Sequence, residues 1–378
     1  MTNAVPSAGS PFRAFTGPSS RRSFLTSTGL GALSLAALAA CGGGNSPSGT
    51  TSSAAPSAGS SSVAPGAYGS ITLQLSWIKN IEFAGEYFAD SKGYYKDAGF
   101  TAVNLKTGPV DSADALVAAG TVDVGLSAPD ATARYIVDQG AQLKIIASTY
   151  QKNPFCILSL KEGKPIATVA DLAGKTLGIQ AGTNQSIFEG FCKANKIDTS
   201  TFKTQAVQYD PKVLIEKKVD GFMAYVTNEP FLVQGEGYTP VVLAFADNGL
   251  PLTAETFCVS QDTLDNKRDL LKAFLTAEIK GWKDVLADPE GGTHLAVDTY
   301  GKDLKLKYDE QLKETKAQNE LIVTTDTKAN GIFTLTDDFQ AKIVAAIGAV
   351  GTTIGVEELF DMSLLKEIYA ANPDLIKS

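Results

Sequence analysis

From residue 71 onward, short apolar runs of strand length alternate with segments of helical period, and the alternation starts again near Phe155. A chain patterned this way is confined to few folds. Parallel strands need crossovers of a dozen or more residues, which helices supply, so the pattern predicts α/β architecture with open, mostly parallel sheets. In the first series, 71–77, 101–105, 122–126 and 143–149 read as strands, with helices over 81–91, from a cap at Asp111 through 119, and over 129–138. In the second, 175–180, 221–226 and 240–245 read as strands, with helices over 184–194 and from 229. After 257–260 the pattern is almost wholly helical: 264–287, 304–320, 336–350 and 356–370. Two such halves and a tail predict two doubly wound lobes with a hinge and a helical C-terminal tail. The chain is expected to cross near 150–154 and return near 250–256, which puts 71–152 plus 255–378 in one lobe and 153–254 in the other. Ligands are then expected between the lobes, where strand carboxyl ends meet and hinge motion closes a cleft.

Composition narrows the function. The 378 residues carry 33 Lys plus Arg against 41 Asp plus Glu, a net charge of −8, and only 20% are charged. A basic face that neutralises nucleic-acid phosphates is therefore not expected, and the acidic balance argues against highly anionic substrates. Residues 1–70 hold three Arg and no Asp, Glu or Lys. Arg21 and Arg22 precede an uncharged apolar stretch, 24–40, shorter than the ~20 residues of a membrane span, so 1–40 is expected to be a cleaved export signal. Residues 42–70 are nearly all Gly, Ser, Ala, Pro and Thr, too poor in apolar surface to offset chain entropy. They predict, with Cys41, a disordered tether over 41–70 spanning roughly 30 Å.

Catalytic and metal chemistry find little footing. Beyond Cys41 the cysteines are Cys156, Cys192 and Cys258, an odd number in apolar runs without zinc or redox spacing. His294 is the sole histidine, which leaves no triad or His-based metal cluster. Neither phosphate-cradling glycine motif occurs at a strand end. No cofactor, no metal and no catalytic residue is expected.

Binding is better served. The loop after the first strand offers Trp77, Asn80 and Phe83, two aromatic walls and an amide. Ser127 and Asp130 end the third strand and open a helix, and Thr183 and Asn184 do the same in the second half, so hydroxyls and helix N-H groups can hold ligand oxygens. Tyr225, Asn228 and Glu229 bring a phenol, an amide and a carboxylate after another strand, with Asn228 also suited to cap the next helix. Gln151 at the crossing completes the expected ligand-binding set.

These motifs carry a family resemblance. The Ser20 to Leu25 segment resembles a twin-arginine export signal, and Leu38 to Cys41 a bacterial lipoprotein box. In the body, Leu75-Ser-Trp77, Phe83-Ala-Gly85-Glu-Tyr87, Lys92-Gly-Tyr-Tyr95, Gly120-Thr-Val-Asp-Val-Gly125, Gly178-Ile-Gln-Ala-Gly-Thr183 and Asn228-Glu229-Pro230 resemble the thiamine-precursor-binding and riboflavin-binding type of solute-binding protein for ABC importers. The resemblance implies the type II periplasmic-binding-protein fold, lipidation at Cys41, and an extracytoplasmic, membrane-anchored receptor. Its partners would be a membrane permease and a small heteroaromatic ligand, of riboflavin or hydroxymethylpyrimidine type. A monomer that binds no nucleic acid and performs no catalysis is expected. One alternative within the resemblance is an alkanesulfonate- or nitrate-type anion binder, disfavoured by Glu82, Asp130 and Glu229 against Lys79 and Lys152. Another is a pyrimidine-precursor synthase on the same fold, whose consumed histidine aligns with Phe83. A ligandless scaffold lipoprotein is the third.

Overall fold

The computed structural model describes residues 64–377. The expected leader, Cys41 and most of the tether lie outside them. Residues 64–70, expected in the tether, belong to the folded body: Tyr68 packs on Phe100 at 5.5 Å and strand β1 (Gly69–Gln74) starts just after it.

Strands β2 (Phe100–Lys106), β3 (Val124–Ser127) and β4 (Leu143–Ser148) follow in the first half. The second half supplies β5 (Phe155–Leu160), β6 (Thr176–Ile179), β7 (Lys203–Ala206), β8 (Gly221–Tyr225) and β9 (Pro240–Ala244), and β10 (Thr256–Ser260) comes last. They form two five-stranded sheets, ordered β2-β1-β3-β10-β4 and β7-β6-β8-β5-β9. Both share one plan. Four strands run in one direction, three of them side by side, and the antiparallel fourth position is filled by the strand that has just crossed over: β10 pairs antiparallel with β3 and β4, and β5 with β8 and β9. Each lobe thus takes its antiparallel strand directly from a linker, 149–154 for β5 and 245–255 for β10.

The linkers are tied to one another. Asn153 donates through Nδ2 to the Leu250 carbonyl at 2.9 Å and accepts the Phe155 N-H at 3.0 Å. Strand β5 reads Phe-Cys-Ile-Leu-Ser-Leu and is buried throughout, as befits a strand flanked on both edges and covered on both faces. Edge strand β7, Lys-Thr-Gln-Ala, is exposed throughout, so it has no apolar alternation for a sequence reading to find.

The tail helices depart from their expected bounds for local reasons. The run expected over 264–287 is two helices, Gln261–Asn266 and Arg268–Ala287, divided at Lys267. Phe360 bridges to Ile145 and divides the last run into Val356–Leu359 and Ser363–Ala371. The Arg268–Ala287 helix lies across Ala84–Ser91, with Gly281 over Gly85. Cys156, Cys192 and Cys258 are buried free thiols. Among the described residues no helix is long and apolar enough to cross a membrane.

Candidate functional site

A cavity of about 290 Å³ opens between the sheets, near the lower end of the range for small-molecule sites. Its walls are the carboxyl ends of the parallel strands, where loops rather than ladder partners occupy the space. The first lobe contributes Ser76 and Trp77 after β1, Pro109 to Asp111 after β2, Ser127 ending β3, and Glu82. The second contributes Gln180 and Asn184 after β6, Gln208 and Tyr209 after β7, Tyr225 ending β8, and Asn228 and Glu229 opening the Glu229–Gly235 helix. Because β5 and β10 run the other way, their amino ends reach this rim and add Phe155 and Glu255. Asp111 is available because Ser112, rather than Asp111, caps the Ala113–Ala118 helix by accepting the Ala115 N-H.

The lobes touch across the opening. Trp77 meets Tyr209 edge-on at 6.0 Å and 81°. Tyr225 donates to Glu255 Oε1 at 3.0 Å and stands edge-on to Phe155 at 4.6 Å. Ser76 donates to the other oxygen of Glu255 at 2.8 Å. Glu255 holds this position with φ of +53°, a left-handed conformation that costs a non-glycine residue about 1 kcal/mol or more and collects at functional sites. Gly182 (φ +77°) approaches Asp111 so closely that a Cβ would lie 2.8 Å from the Asp111 carbonyl oxygen. Gly182→Ala is therefore expected to hold the lobes apart, lowering ligand affinity on the order of tenfold, about 1.4 kcal/mol. Ligand titration beside small-angle scattering checks this; unchanged affinity and dimensions would refute it.

The site is acidic. Asp111, Glu82, Glu229 and Glu255 line it, and neither Lys nor Arg stands among its described lining residues. Burial pushes Glu229 up to about 7 against the N-H bonds it accepts from Tyr225 and its own backbone. Burial likewise raises Glu255 to about 7, opposed by the hydroxyls of Ser76 and Tyr225. Glu82 is driven well above the usual carboxylate range, first by burial and then by the neighbouring charges of Glu255, Glu314, Glu229 and Glu86. No group of three His, Cys, Asp or Glu among the described residues is arranged to hold a metal ion.

Of the residues expected from the sequence, Trp77, Ser127, Asn184, Tyr225, Asn228 and Glu229 line this cavity. Four of their polar groups are engaged with the protein: Ser127 donates to buried Asp114 at 2.7 Å, Asn184 to Gln180 at 3.1 Å and Tyr225 to Glu255, and Glu229 accepts the Tyr225 N-H at 2.9 Å. Thr183 opens the Thr183–Ala194 helix, in the chain between lining residues Ala181 and Asn184. Four others lie elsewhere. Phe83, 1% exposed, is core, because the turn Ile81–Phe83 carries its ring inward and leaves Glu82 to the cavity. Asn80 caps that turn by accepting the Glu82 N-H and donates to Glu314 at 3.2 Å. Asp130 pairs with Arg134 at 2.9 Å along its own helix. Gln151 donates to the Ser148 carbonyl and receives no place in the wall. Sequence reading missed Glu255, Tyr209, Phe155 and Gln180 as site residues; only Gln180 carried a signal, since it precedes the Ala-Gly-Thr-Asn turn.

Two lobes joined by paired linkers, enclosing one aromatic and carboxylate-lined cavity, define a protein of the periplasmic-binding fold, type II. The chain belongs to the NMT1/THI5-like family, whose family model matches residues 80–291. It is 29% identical over 272 residues to the riboflavin-binding protein RibY of Chloroflexus aurantiacus, covering 71% of this chain and 76% of that one. The periplasmic nitrate-binding protein NrtA from Synechocystis PCC 6803 superposes with a TM-score of 0.60 at 15% identity, over 82% of this chain and 91% of that one. The desulfurization enzyme DszB superposes at 0.53 and 11%, over 80% and 99%. The fold thus serves both binding and chemistry, and the site must decide between them.

Proposed function

We propose that this chain is the extracytoplasmic solute-binding component of an ABC importer, held to the membrane through lipidated Cys41. Its ligand is a small, flat heteroaromatic compound of the riboflavin or pyrimidine-precursor class. The observation that carries this reading is a cavity walled by both lobes, with Trp77, Tyr209 and Tyr225 beside acceptor groups and without a cation among its described lining residues. Aromatic faces supply area for stacking, and the few polar groups fix orientation. The likeness to RibY supports the flavin branch. A ligand touching both lobes favours the closed state by its differential affinity, which is the signal a permease can sense. With neither Lys nor Arg among the described lining residues, a sulfonate or nitrate would find no counterion in the wall, which argues against that alternative. The synthase alternative gains no support from Phe83, whose side chain faces the core.

Two tryptophans make the test direct. Trp77 is in the cavity wall and Trp282 is 1% exposed in the core. Riboflavin or hydroxymethylpyrimidine is expected to change the emission of Trp77 saturably, and Trp77→Phe to remove that change while Trp282 still reports a folded core. At ~100 Kd the ligand should add about 2.7 kcal/mol of stability and be recovered unaltered. Saturable binding of taurine or nitrate, with neither riboflavin nor hydroxymethylpyrimidine bound, would refute the reading.

A further inference from the structure

We propose that the cavity reads hydrogen-bond donors on an uncharged ligand through Glu82 and Glu255, and rejects the phosphate ester of that same compound. This rests on the solute-binding reading above and deepens it. Glu82 lines the cavity, is 97% buried by its 3% exposure, and its Oε1 has no hydrogen-bond partner. Glu255, across the same space, already accepts from Ser76 and Tyr225, which fixes its carboxyl plane and leaves its remaining lone pairs as acceptors.

A buried acceptor left unpaired is costly, and a ligand N-H or O-H placed against Glu82 removes that cost. The same surroundings oppose an anion. A phosphate group would leave water for a space holding Asp111, Glu82, Glu229 and Glu255 with no described Lys or Arg in the wall to pair with it. Two cations of the surrounding fold are engaged with carboxylates of their own: Arg134 with Asp130 at 2.9 Å, and Lys152 with Asp247 at 3.0 Å. Protonation of some of these carboxyls removes repulsion without supplying positive charge, so the ester still finds no counterion. One consequence concerns order of events. Where the compound is present outside the cell as its phosphate monoester, hydrolysis must precede capture: water attacks phosphorus, the P-O bond to the ligand breaks, and the free alcohol and inorganic phosphate result.

The test pairs riboflavin with riboflavin 5′-phosphate, and hydroxymethylpyrimidine with its monophosphate, each titrated against the intact protein by Trp77 emission. Whichever uncharged member binds is expected to do so at least about 100-fold more tightly than its ester. Glu82→Gln is expected to weaken the uncharged ligand about tenfold and to narrow the ratio, with Glu255→Gln as the second variant and circular dichroism confirming the fold of each. An ester that binds within tenfold of its alcohol overturns this inference and leaves the solute-binding reading standing. Failure of both uncharged compounds alongside tight binding of taurine or nitrate overturns the reading itself, and the inference with it.

Discussion

Gly281→Val is expected to cost more than about 3 kcal/mol of folding stability, measured as the loss in urea unfolding midpoint. Ordinary overpacking costs roughly 1–3 kcal/mol because side chains shift to make room. Here the obstruction is backbone. A Cβ on Gly281 would fall on the carbonyl oxygen of Gly85 and 2.9 Å from the amide nitrogen of Ala89, so the two helices would have to separate. Gly85 is equally confined, since its own Cβ would enter the indole of Trp282. Separation would spread to the site, because Glu82 and its turn lead directly into the Ala84–Ser91 helix. Ligand binding should therefore fail together with stability. Gly348 is the contrast: it lies inside the Asp337–Ala349 helix with nothing within 4 Å of its would-be Cβ, and Gly348→Ala should stabilise by up to ~1 kcal/mol. If Gly281→Val unfolds with the wild-type midpoint, the close helix crossing is wrong.

That crossing also marks what a sequence reading can reach. The amphipathic period announces both helices, and Gly85 lies in a recognisable motif, but nothing local says that Gly281 is its partner nearly two hundred residues later. The same division holds in the sheets. Strand β5 is legible because burial on both faces leaves a continuous apolar run, whereas β7 has an exposed, polar sequence whose extended form is imposed by pairing with β6. In the site, residues that follow legible strands, Trp77, Ser127, Asn184, Tyr225, Asn228 and Glu229, were legible too. Tyr209 follows the hidden strand and was lost with it. Glu255 belongs to a linker, where position comes from the meeting of two lobes and not from any period. Phe83 and Glu82 differ by a single residue in a short turn, and the direction of that turn, set by the Asn80 cap, decides which of them lines the cavity. The aromatic of the pair drew the sequence reading, and the carboxylate faces the cavity.

Raising the pH from 5 to 9 is expected to destabilise the ligand-free protein by on the order of several kcal/mol. Glu82, Glu86, Glu229, Glu255, Glu278 and Glu314 are all buried. Burial is the leading cause of a raised pKa in each: Glu278 reaches about 8, Glu229 and Glu255 about 7, and the other three lie well above the usual carboxylate range. Glu278 is opposed in this by the Tyr95 hydroxyl donating to it at 2.5 Å, and Glu86 is pushed further by the charge of Glu278. In the unfolded chain these side chains titrate near ~4.3. Between that value and their folded values the folded protein holds more protons than the unfolded one, so stability falls as pH climbs. The loss begins above about pH 4 and for Glu278 is complete only above about 8. A difference of one in pKa corresponds to about 1.4 kcal/mol, so Glu278→Gln should flatten the profile by a few kcal/mol. Urea unfolding at a series of pH values measures both. A profile that is flat from pH 5 to 9 would mean that these carboxyls are charged and well paired in the folded protein. Ligand adds a second slope of known sign: donors placed against Glu82 and Glu255 favour their charged forms, so the extra stability at saturating ligand should grow with pH, whereas an anionic ligand would make it shrink.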